Sequence, residues 1–407
     1  MMEEELSFTE KVFLILVLLS SCTTVVADFG LIRYALVAMY VLLLGMKEIK
    51  LSNHKCQIIV LVGLFGIWMI QMLWYDNSGK FFYILKIYVL LFMMATYLGC
   101  YRKKNRKRLD FLYSALFFFT IASDIVYIVI LLGVQLPKFV SSLELYCYYY
   151  FLQEFYDPVF GIMSYRNNGI FWEPGVNQVF LNFLLMYTVF RPQTKEKKER
   201  NWNEYFKVFI IVLSVASTGS VTGILSCAII LLVKCFEGTR GYRRLFLALF
   251  AVLAMVIVTP ILVDLFVQKK ETVSFEHRVG DLEIGINLFS QNPLLGRGIG
   301  DDNYPKEFYK EFGFERTNSN GIVEMILATG LLGTTLYLMS SMKTALWFER
   351  QGFRGMKYAF LSWILISLMN EPIEACAFMF FIICIGWHDD GFCKGRIKKA
   401  TISLEVG

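Results

Sequence analysis

The residues best suited to chemistry lie in the run from Arg166 to Gly175, which reads RNNGIFWEPG. Arg166 offers planar, permanently charged donors, which suit a diphosphate group. Gly169 permits close approach of the backbone to a ligand. Pro174 fits the first turn of a helix, so Glu173 would lie at the positive helix start, where a carboxylate is favoured. The structural alternative is a helix cap beside a surface arginine.

A second group of such residues lies in a long polar stretch, residues 267–320, between two apolar segments. It contains Arg278, the run Asn292–Gly300 and the run Thr317–Gly321, which leads into Glu324. The glycines of Asn292–Gly300 are compatible with an anion-binding turn. No Lys-Ser/Thr pair follows them and no soluble nucleotide-binding domain surrounds them, so the run is neither a P-loop nor a Rossmann signature.

The composition indicates which elements must position these residues. Of the 407 residues, 56% are hydrophobic and 18% are charged, whereas a soluble domain carries about 25% charged residues. We therefore predict an all-α polytopic membrane protein with one transmembrane domain over residues 1–407. The net charge of +6 comes from basic residues in short runs between apolar segments, which argues against a nucleic-acid partner.

About twelve spans are predicted, because separate apolar stretches of about 17–25 residues are what a bilayer core selects. The seventh, eighth and eleventh of them are short for a span. The predicted spans are residues 12–27, 31–45, 57–74, 81–99, 111–134, 170–190, 205–219, 221–236, 244–266, 321–341, 357–370 and 374–387.

The basic residues also predict the orientation, since Lys and Arg are favoured in short cytoplasmic loops. Every second connection is basic, as in residues 102–108 and 191–200. Both termini are therefore expected in the cytoplasm, and the long connections 135–169 and 267–320 are expected outside, as the cap of an extracytoplasmic site. The first of these is rich in aromatic residues. It suits a helix lying in the membrane interface, which we favour, or a sugar-stacking surface.

Ionisable side chains in or beside the hydrocarbon are costly, so each is a functional hypothesis. The alternative is that each is an interfacial anchor or half of a structural ion pair. In the predicted topology, those in the outer half or just outside are Arg33, Lys86, Asp124, Arg166, Glu173, Asp264, Arg278, Glu324, Glu371 and Glu374.

Metal catalysis is not indicated by the histidines or the carboxylates. His54 and His388 fall on the predicted cytoplasmic side, which leaves only His277 outside. No closely spaced acidic cluster such as Asp-x-Asp occurs in an outward loop, so no metal site is predicted.

Together these patterns resemble the O-antigen polymerase (Wzy-type) and O-antigen ligase (WaaL-type) superfamily of bacterial polysaccharide membrane proteins. The resemblance covers roughly residues 160–340, and the first 150 residues are similar only in hydropathy. The motifs that carry it are the entrance Arg166–Pro174, the turn Ser217–Gly223, Arg278, the run Asn292–Gly300 and the loop end Asn318–Asn320.

The resemblance implies a glycosyltransferase of GT-C-like architecture, which takes a glycan from an undecaprenyl diphosphate carrier and passes it to an acceptor sugar. Arg166 and Arg278 match the family arginines that hold the donor diphosphate. Glu173 is then the expected general base, with Glu324 as the second choice. The further residues expected to contact substrate are Arg297, Asn318, Asn320 and Glu324.

Two departures from the family pattern bear on the type of reaction. Ligases usually carry a histidine where this chain has Ser319, and many members have arginine where Val221 stands. The missing histidine and the Glu173-Pro174 pair favour a polymerase of lipid-linked oligosaccharide repeat units, for O-antigen, capsule or exopolysaccharide. The alternatives are an O-antigen ligase, which transfers the glycan to another acceptor, and a lipid-linked sugar transporter.

The polymerase hypothesis also implies partners and a location. The partners are a donor and an acceptor glycan on undecaprenyl diphosphate, membrane lipid, a chain-length regulator and a flippase, with no nucleic acid. The implied location is the bacterial cytoplasmic (inner) membrane. No cofactor is expected, because the diphosphate bond already activates the donor.

Overall fold

The computed structural model describes residues 5–46, 55–75, 78–100, 104–142, 146–157, 162–164, 166–192, 202–237 and 273–388. This part of the chain contains fourteen α-helices, two short 3-10 helices and five short strands. The helices are α1 Phe8–Leu19, α2 Thr24–Asp28, α3 Leu31–Gly45, α4 Lys55–Trp74, α5 Phe81–Gly99, α6 Asn105–Leu131, α7 Pro174–Phe190, α8 Trp202–Ser217, α9 Val221–Phe236, α10 Val273–Gln291, α11 Asn303–Phe312, α12 Gly321–Arg350, α13 Met356–Asn370 and α14 Ala377–Cys384; the 3-10 helices are Ser78–Lys80 and Ile385–His388. The strands are β1 Phe139–Val140, β2 Tyr146–Tyr148, β3 Leu152–Gln153, β4 Phe155–Asp157 and β5 Ile162–Ser164.

Three of these helices, α5, α6 and α12, are long and apolar enough to cross a membrane. The shorter helices α3 and α9 and the segment 58–74 of α4 are also apolar. These helices indicate a membrane-integral protein. The predicted count of twelve spans and the GT-C-like architecture stay predictions, and the predicted span 244–266 lies outside the described residues.

Helix α7 lies at the centre of the bundle, because its side chains are buried along nearly its whole length. Phe180 and Phe183 pack on Phe378 of α14, with ring centroids 4.8 and 5.2 Å apart. The Trp363 indole of α13 donates a hydrogen bond to a backbone carbonyl of α7 at 2.9 Å. An apolar helix that is buried on all sides belongs in the middle of a bundle. The start of α7, with Glu173 before it, is therefore central as well.

The first predicted span, residues 12–27, is not one helix, since α1 ends at Leu19 and α2 begins at Thr24. Between them Cys22 has a left-handed φ of 60°. The Thr23 backbone pairs with Phe171 as an isolated β-bridge. The break therefore holds the segment that leads into α7.

The described part of residues 135–169 forms short strands rather than the interfacial helix that we predicted. Strands β1, β2 and β3 make an antiparallel sheet, and β4 pairs with β5. The β2–β3 hairpin turns through Tyr149 and Tyr150, whose φ angles are 50° and 63°, and the Phe151 amide donates to the Tyr148 carbonyl at 2.9 Å. Aromatic residues favour strands, and two successive positive φ angles match the twist of a hairpin. The helix prediction was therefore wrong.

The glycine run Asn292–Gly300 packs against a break in α12. At Gly330 the backbone leaves the helical region, with φ 62° and ψ −167°. The amides of Arg297 and Gly298 donate to the carbonyls of residues 327–328 at 2.7 and 3.1 Å. The run therefore supplies hydrogen-bond donors to helix carbonyls that the break leaves without a partner in the helix. Its glycines do not form the predicted anion-binding turn.

We predict that Gly296→Ala destabilises this junction. Gly296 has a φ of 77°, and a Cβ there would lie 2.5 Å from the Gly330 backbone nitrogen. Because the atom that the Cβ meets belongs to the backbone and cannot swing aside, the clash and the strained φ should cost about 1–3 kcal/mol. Thermal unfolding of the purified protein in detergent would measure the loss. Gly79→Ala, which meets no atom within 4 Å, is the control, and equal midpoints for the two variants would contradict the pairing.

Candidate active site

Arg166 is held beside the turn that joins α8 to α9. Its Nε donates to the Thr218 carbonyl at 2.9 Å, and the backbone N–H of Asn167 donates to the Ser217 carbonyl at 3.1 Å. Gly219 has a φ of 60°, and a Cβ there would lie 3.2 Å from Arg166 Nε. Gly219 therefore leaves room for the Arg166 guanidinium. This explains why the turn Ser217–Gly219 packs directly against that arginine.

A half-buried aspartate of α6 fixes the same segment from the other side. Asp124 accepts hydrogen bonds from the Asn167 side chain at 2.7 Å and from the Ser214 hydroxyl at 2.5 Å. The Asn177 side chain of α7 donates to the Asn167 carbonyl at 3.0 Å. Gly169 is needed here, because a Cβ on it would lie 2.8 Å from Asn177 Oδ1. The structure therefore gives Asp124 a positioning role behind Arg166.

Two Glu-Pro connections meet at the start of α7. Glu173 is the N-cap residue, and its side chain makes no capping hydrogen bond. Glu371 lies at the end of α13, where it accepts a hydrogen bond from the Asn370 side chain at 2.6 Å. A Cβ on Gly175 would lie 1.9 Å from Glu371 Oε1. Only glycine therefore allows the Glu371 carboxyl to approach the first turn of α7 so closely.

Arg278 of α10 reaches this junction through Asn370. Its Nη1 donates to Asn370 Oδ1 at 3.3 Å, and the Thr222 hydroxyl donates to the same oxygen at 2.9 Å. Asn370 thus links Arg278, the start of α9 and the Glu371 carboxyl. The two predicted arginines come from segments that are far apart in the chain, and the structure brings them to one carboxyl pair.

Both arginines act electrostatically on both carboxyls. Glu173 is open to solvent on one side, yet the protein around it removes hydration and raises its pKa, while Arg278 and then Arg166 oppose that shift. Glu371 is only 4% exposed. Burial and then the charge of Glu173 raise the pKa of Glu371, again against Arg278 and Arg166. Glu371 is the more deeply buried of the two, so burial opposes its ionisation more strongly.

Asp281, one turn after Arg278 on α10, anchors the surrounding residues. It is fully buried and forms an ion pair with Arg316. It also accepts hydrogen bonds from the Tyr304 hydroxyl and from the hydroxyl and amide of Ser319. Asp281 therefore ties α10, α11 and the loop before α12 together. Ser319, at the position where ligases carry histidine, is part of this network.

The other predicted substrate contacts lie elsewhere. Arg297 donates to Asp301 and to Gln291, both at 2.7 Å. The Asn318 side chain is buried and donates to the Asp281 carbonyl at 2.9 Å, and the Asn320 side chain caps α12. Both asparagines thus have a local structural role. Glu324 lines an apolar cavity together with Glu374.

From the sequence, Glu371 was predicted to lie in the outer half of the membrane or just outside it, with no role in the site. The signal that could have identified it is the second Glu-Pro pair, Glu371-Pro372, which repeats Glu173-Pro174. Asp281 carried no such signal, because a lone aspartate in a polar segment looks like any solvated residue. Within the residues described, no group of three His, Cys, Asp or Glu side chains is arranged to hold a metal ion.

We predict that Asp281→Ala strongly destabilises the protein. The change leaves Arg316 without its acid and breaks three further hydrogen bonds, which should cost about 3–5 kcal/mol for a buried pair. Asp302→Ala is the matched control, because Asp302 is exposed and pairs with Lys80 at the surface, where loss of a pair costs about 1 kcal/mol or less. Thermal unfolding in detergent would compare them. Equal stability of the two variants would exclude the anchoring role of Asp281.

Comparison with known proteins gives one finding. Residues 206–338 match the family described as O-antigen ligase (Wzy_C), a range that includes Arg278 but not Arg166, Glu173 or Glu371. No curated protein and no solved structure matches the chain significantly. Residues 206–338 are therefore similar to the O-antigen ligase family, and the apolar helices indicate a membrane-integral protein.

Proposed function

We propose that this protein is a metal-independent glycosyltransferase that polymerises oligosaccharide repeat units carried on undecaprenyl diphosphate. One observation carries the proposal. Arg166 and Arg278 act on the same two carboxyls, Glu173 and Glu371. Two fixed cations beside a pair of carboxyls match a reaction in which a diphosphate leaves and a hydroxyl loses a proton.

In the proposed reaction the acceptor hydroxyl oxygen attacks the anomeric carbon of the donor sugar. The bond between that carbon and the lipid diphosphate oxygen breaks, and the diphosphate leaves with the electron pair. Arg166 and Arg278 stabilise the negative charge that develops there, so they bind the transition state more tightly than the substrate. Glu173 takes the acceptor proton as general base.

In the proposed mechanism the two carboxyls of the pair differ in protonation state. Glu371 is buried and feels the charge of Glu173, so it keeps its proton at a pH where Glu173 is ionised. Glu173 is therefore the base, as the sequence predicts. The protonated Glu371 adds no negative charge beside the diphosphate, which favours donor binding.

The polymerase reaction is favoured over the ligase reaction by the surroundings of Ser319. Its hydroxyl donates to Asp281, so this position supplies an anchor instead of the histidine that ligases usually carry. The donor and the acceptor are then both lipid-linked glycans. A flippase that delivers them and a regulator of chain length are further expected partners.

The proposed topology follows from the basic connections in the sequence. Residues 102–108 and 191–200 face the cytoplasm, as do both termini, and the carboxyl pair faces outward. Residues 135–169 and 267–320 then form a cap over the site on the outer face of the cytoplasmic membrane.

We predict that Glu173→Gln and Glu371→Gln behave differently with pH. Glu173→Gln should lower the rate by about 10²–10⁴-fold, because the amide cannot accept a proton. Glu371→Gln mimics the protonated acid and should keep activity at neutral pH. In the parent protein the rate should fall in acid as Glu173 is protonated, and in alkali as Glu371 ionises beside the diphosphate. In Glu371→Gln the rate should still fall in acid but should no longer fall in alkali. Equal loss in both variants at neutral pH would contradict this assignment.

The diphosphate contacts are tested with purified protein and one lipid-linked repeat unit. We expect a ladder of longer lipid-linked products, absent in Arg166→Ala and Arg278→Ala although both variants insert in the membrane. The lysine variants should recover only part of the activity, because a point charge cannot make a two-pronged contact. Near-normal ladders in both alanine variants would refute the diphosphate assignment. A product that forms only after another acceptor, such as lipid A core, is added would replace the polymerase with the ligase.

A further inference from the structure

An apolar cavity lies beside the carboxyl pair, on the other side of residues 371–374. It runs along α12 from Met325 to Ser340, past the break at Gly330. Its long walls carry aliphatic and aromatic side chains and almost no polar groups, which suits a hydrocarbon chain. These walls include Leu64, Trp68, Leu91, Leu336 and Ile383.

Two cations lie near Tyr83, which is one of the residues that line this cavity. Tyr83 of α5 lines the cavity, and the Lys86 ammonium lies 5.1 Å from the centre of its ring. Arg33 of α3 acts electrostatically on both Tyr83 and Lys86. In the part of the chain that the structure describes, neither Arg33 nor Lys86 has a carboxylate within ion-pair distance. Cations in the outer turns of apolar helices require a counter-charge, and a lipid phosphate would supply it.

Two acids that line the cavity also act electrostatically on Tyr83. These acids are Glu324 and Glu374, and Glu374 Oε2 is buried without a hydrogen-bond partner. Carboxyl oxygens repel a phosphate but accept hydrogen bonds from hydroxyl groups. A phosphate is therefore favoured at Arg33 and Lys86, and a sugar hydroxyl is favoured at the acids.

Only a short segment separates this cavity from the arginine site. Glu371 faces the start of α7, and Glu374 faces the cavity three residues later. Gly321 packs between them, since a Cβ on it would lie 2.6 Å from the Glu371 carbonyl and 2.7 Å from Glu374 Oε2. A sugar at the acids would therefore lie next to the proposed base.

We propose that Arg33, Lys86 and this cavity form a second lipid-phosphate site, which holds the acceptor substrate by its diphosphate and the first part of its polyprenyl chain. The inference rests on the proposed function, because a polymerase must hold two lipid-linked substrates at once. Arg166 and Arg278 bind the donor, whose diphosphate leaves. Arg33 and Lys86 bind the acceptor, whose diphosphate stays.

The first test counts bound lipids by native mass spectrometry, with undecaprenyl diphosphate as the probe. The parent protein should bind two copies, and the double variant Arg33→Ala/Lys86→Ala should bind one. The control Lys207→Ala/Lys234→Ala removes two basic groups that pair with Glu204 and Glu237, and it should still bind two. One copy in the parent protein, or two in the double variant, would overturn the second site. Displacement of one copy by equimolar phosphatidylglycerol would assign the site to ordinary phospholipid and also overturn the proposal.

The second test separates this proposal from the proposed function. Each protein receives the lipid-linked donor together with either a lipid-linked or a lipid-free repeat unit as acceptor. Arg33→Ala/Lys86→Ala should lose about tenfold or more in transfer to the lipid-linked acceptor, because it lacks two phosphate contacts, and keep transfer to the lipid-free one. Equal loss with both acceptors would mean that the two cations are only structural. A parent protein that binds two lipids but makes no product would refute the proposed function and leave the second site standing.

Discussion

The electrostatic interaction of Arg166 and Arg278 with the carboxyls of Glu173 and Glu371 constrains the rest of the structure. Charged groups removed from water must be paired and fixed in place, since a misplaced partner leaves an uncompensated charge. The two arginines belong to separate segments, so each segment needs its own anchor. Asp124 holds the Asn167 turn next to Arg166, and Asp281 holds α10 next to Arg278. Both anchors are aspartates that accept several hydrogen bonds, which fixes a position more precisely than apolar packing alone.

Close backbone approach is the second requirement of this arrangement. Gly175 admits the Glu371 carboxyl to the first turn of α7, Gly219 leaves room for Arg166, and Gly321 admits residues 371–374 beside α12. A side chain at any of them would push apart the groups that the anchors bring together. The same logic explains the break between α1 and α2, which makes room for the strand-like segment before Glu173. These three glycines and the break between α1 and α2 therefore allow two arginines and two carboxyls to come together.

Much of the helical layout could be predicted from hydropathy, because an apolar stretch in a membrane must satisfy its backbone as a helix. The predicted spans 81–99 and 221–236 coincide with α5 and α9. Arg166, Arg278 and Glu173 were also selected from the sequence, and the structure brings them together; their roles toward a diphosphate and as a base stay predictions. What the sequence did not reveal depends on tertiary contacts. The glycine run Asn292–Gly300 pairs with the break in α12, and Glu371 enters the site only because two Glu-Pro connections meet.

The most direct test of this account is a disulfide between the two Glu-Pro connections, Glu173-Pro174 and Glu371-Pro372, which meet at the start of α7. In a cysteine-free background, Gly175→Cys combined with Glu371→Cys should crosslink rapidly when membranes are oxidised, because a Cβ at residue 175 would lie against the Glu371 side chain. Mass spectrometry of the linked peptides would measure the yield, and Gly175→Cys with Glu374→Cys is the control, because Glu374 faces the neighbouring cavity. The account predicts a high yield for the first pair and little for the second. No crosslink in the first pair, or equal yields in both, would contradict the meeting of Glu173 and Glu371 in one site.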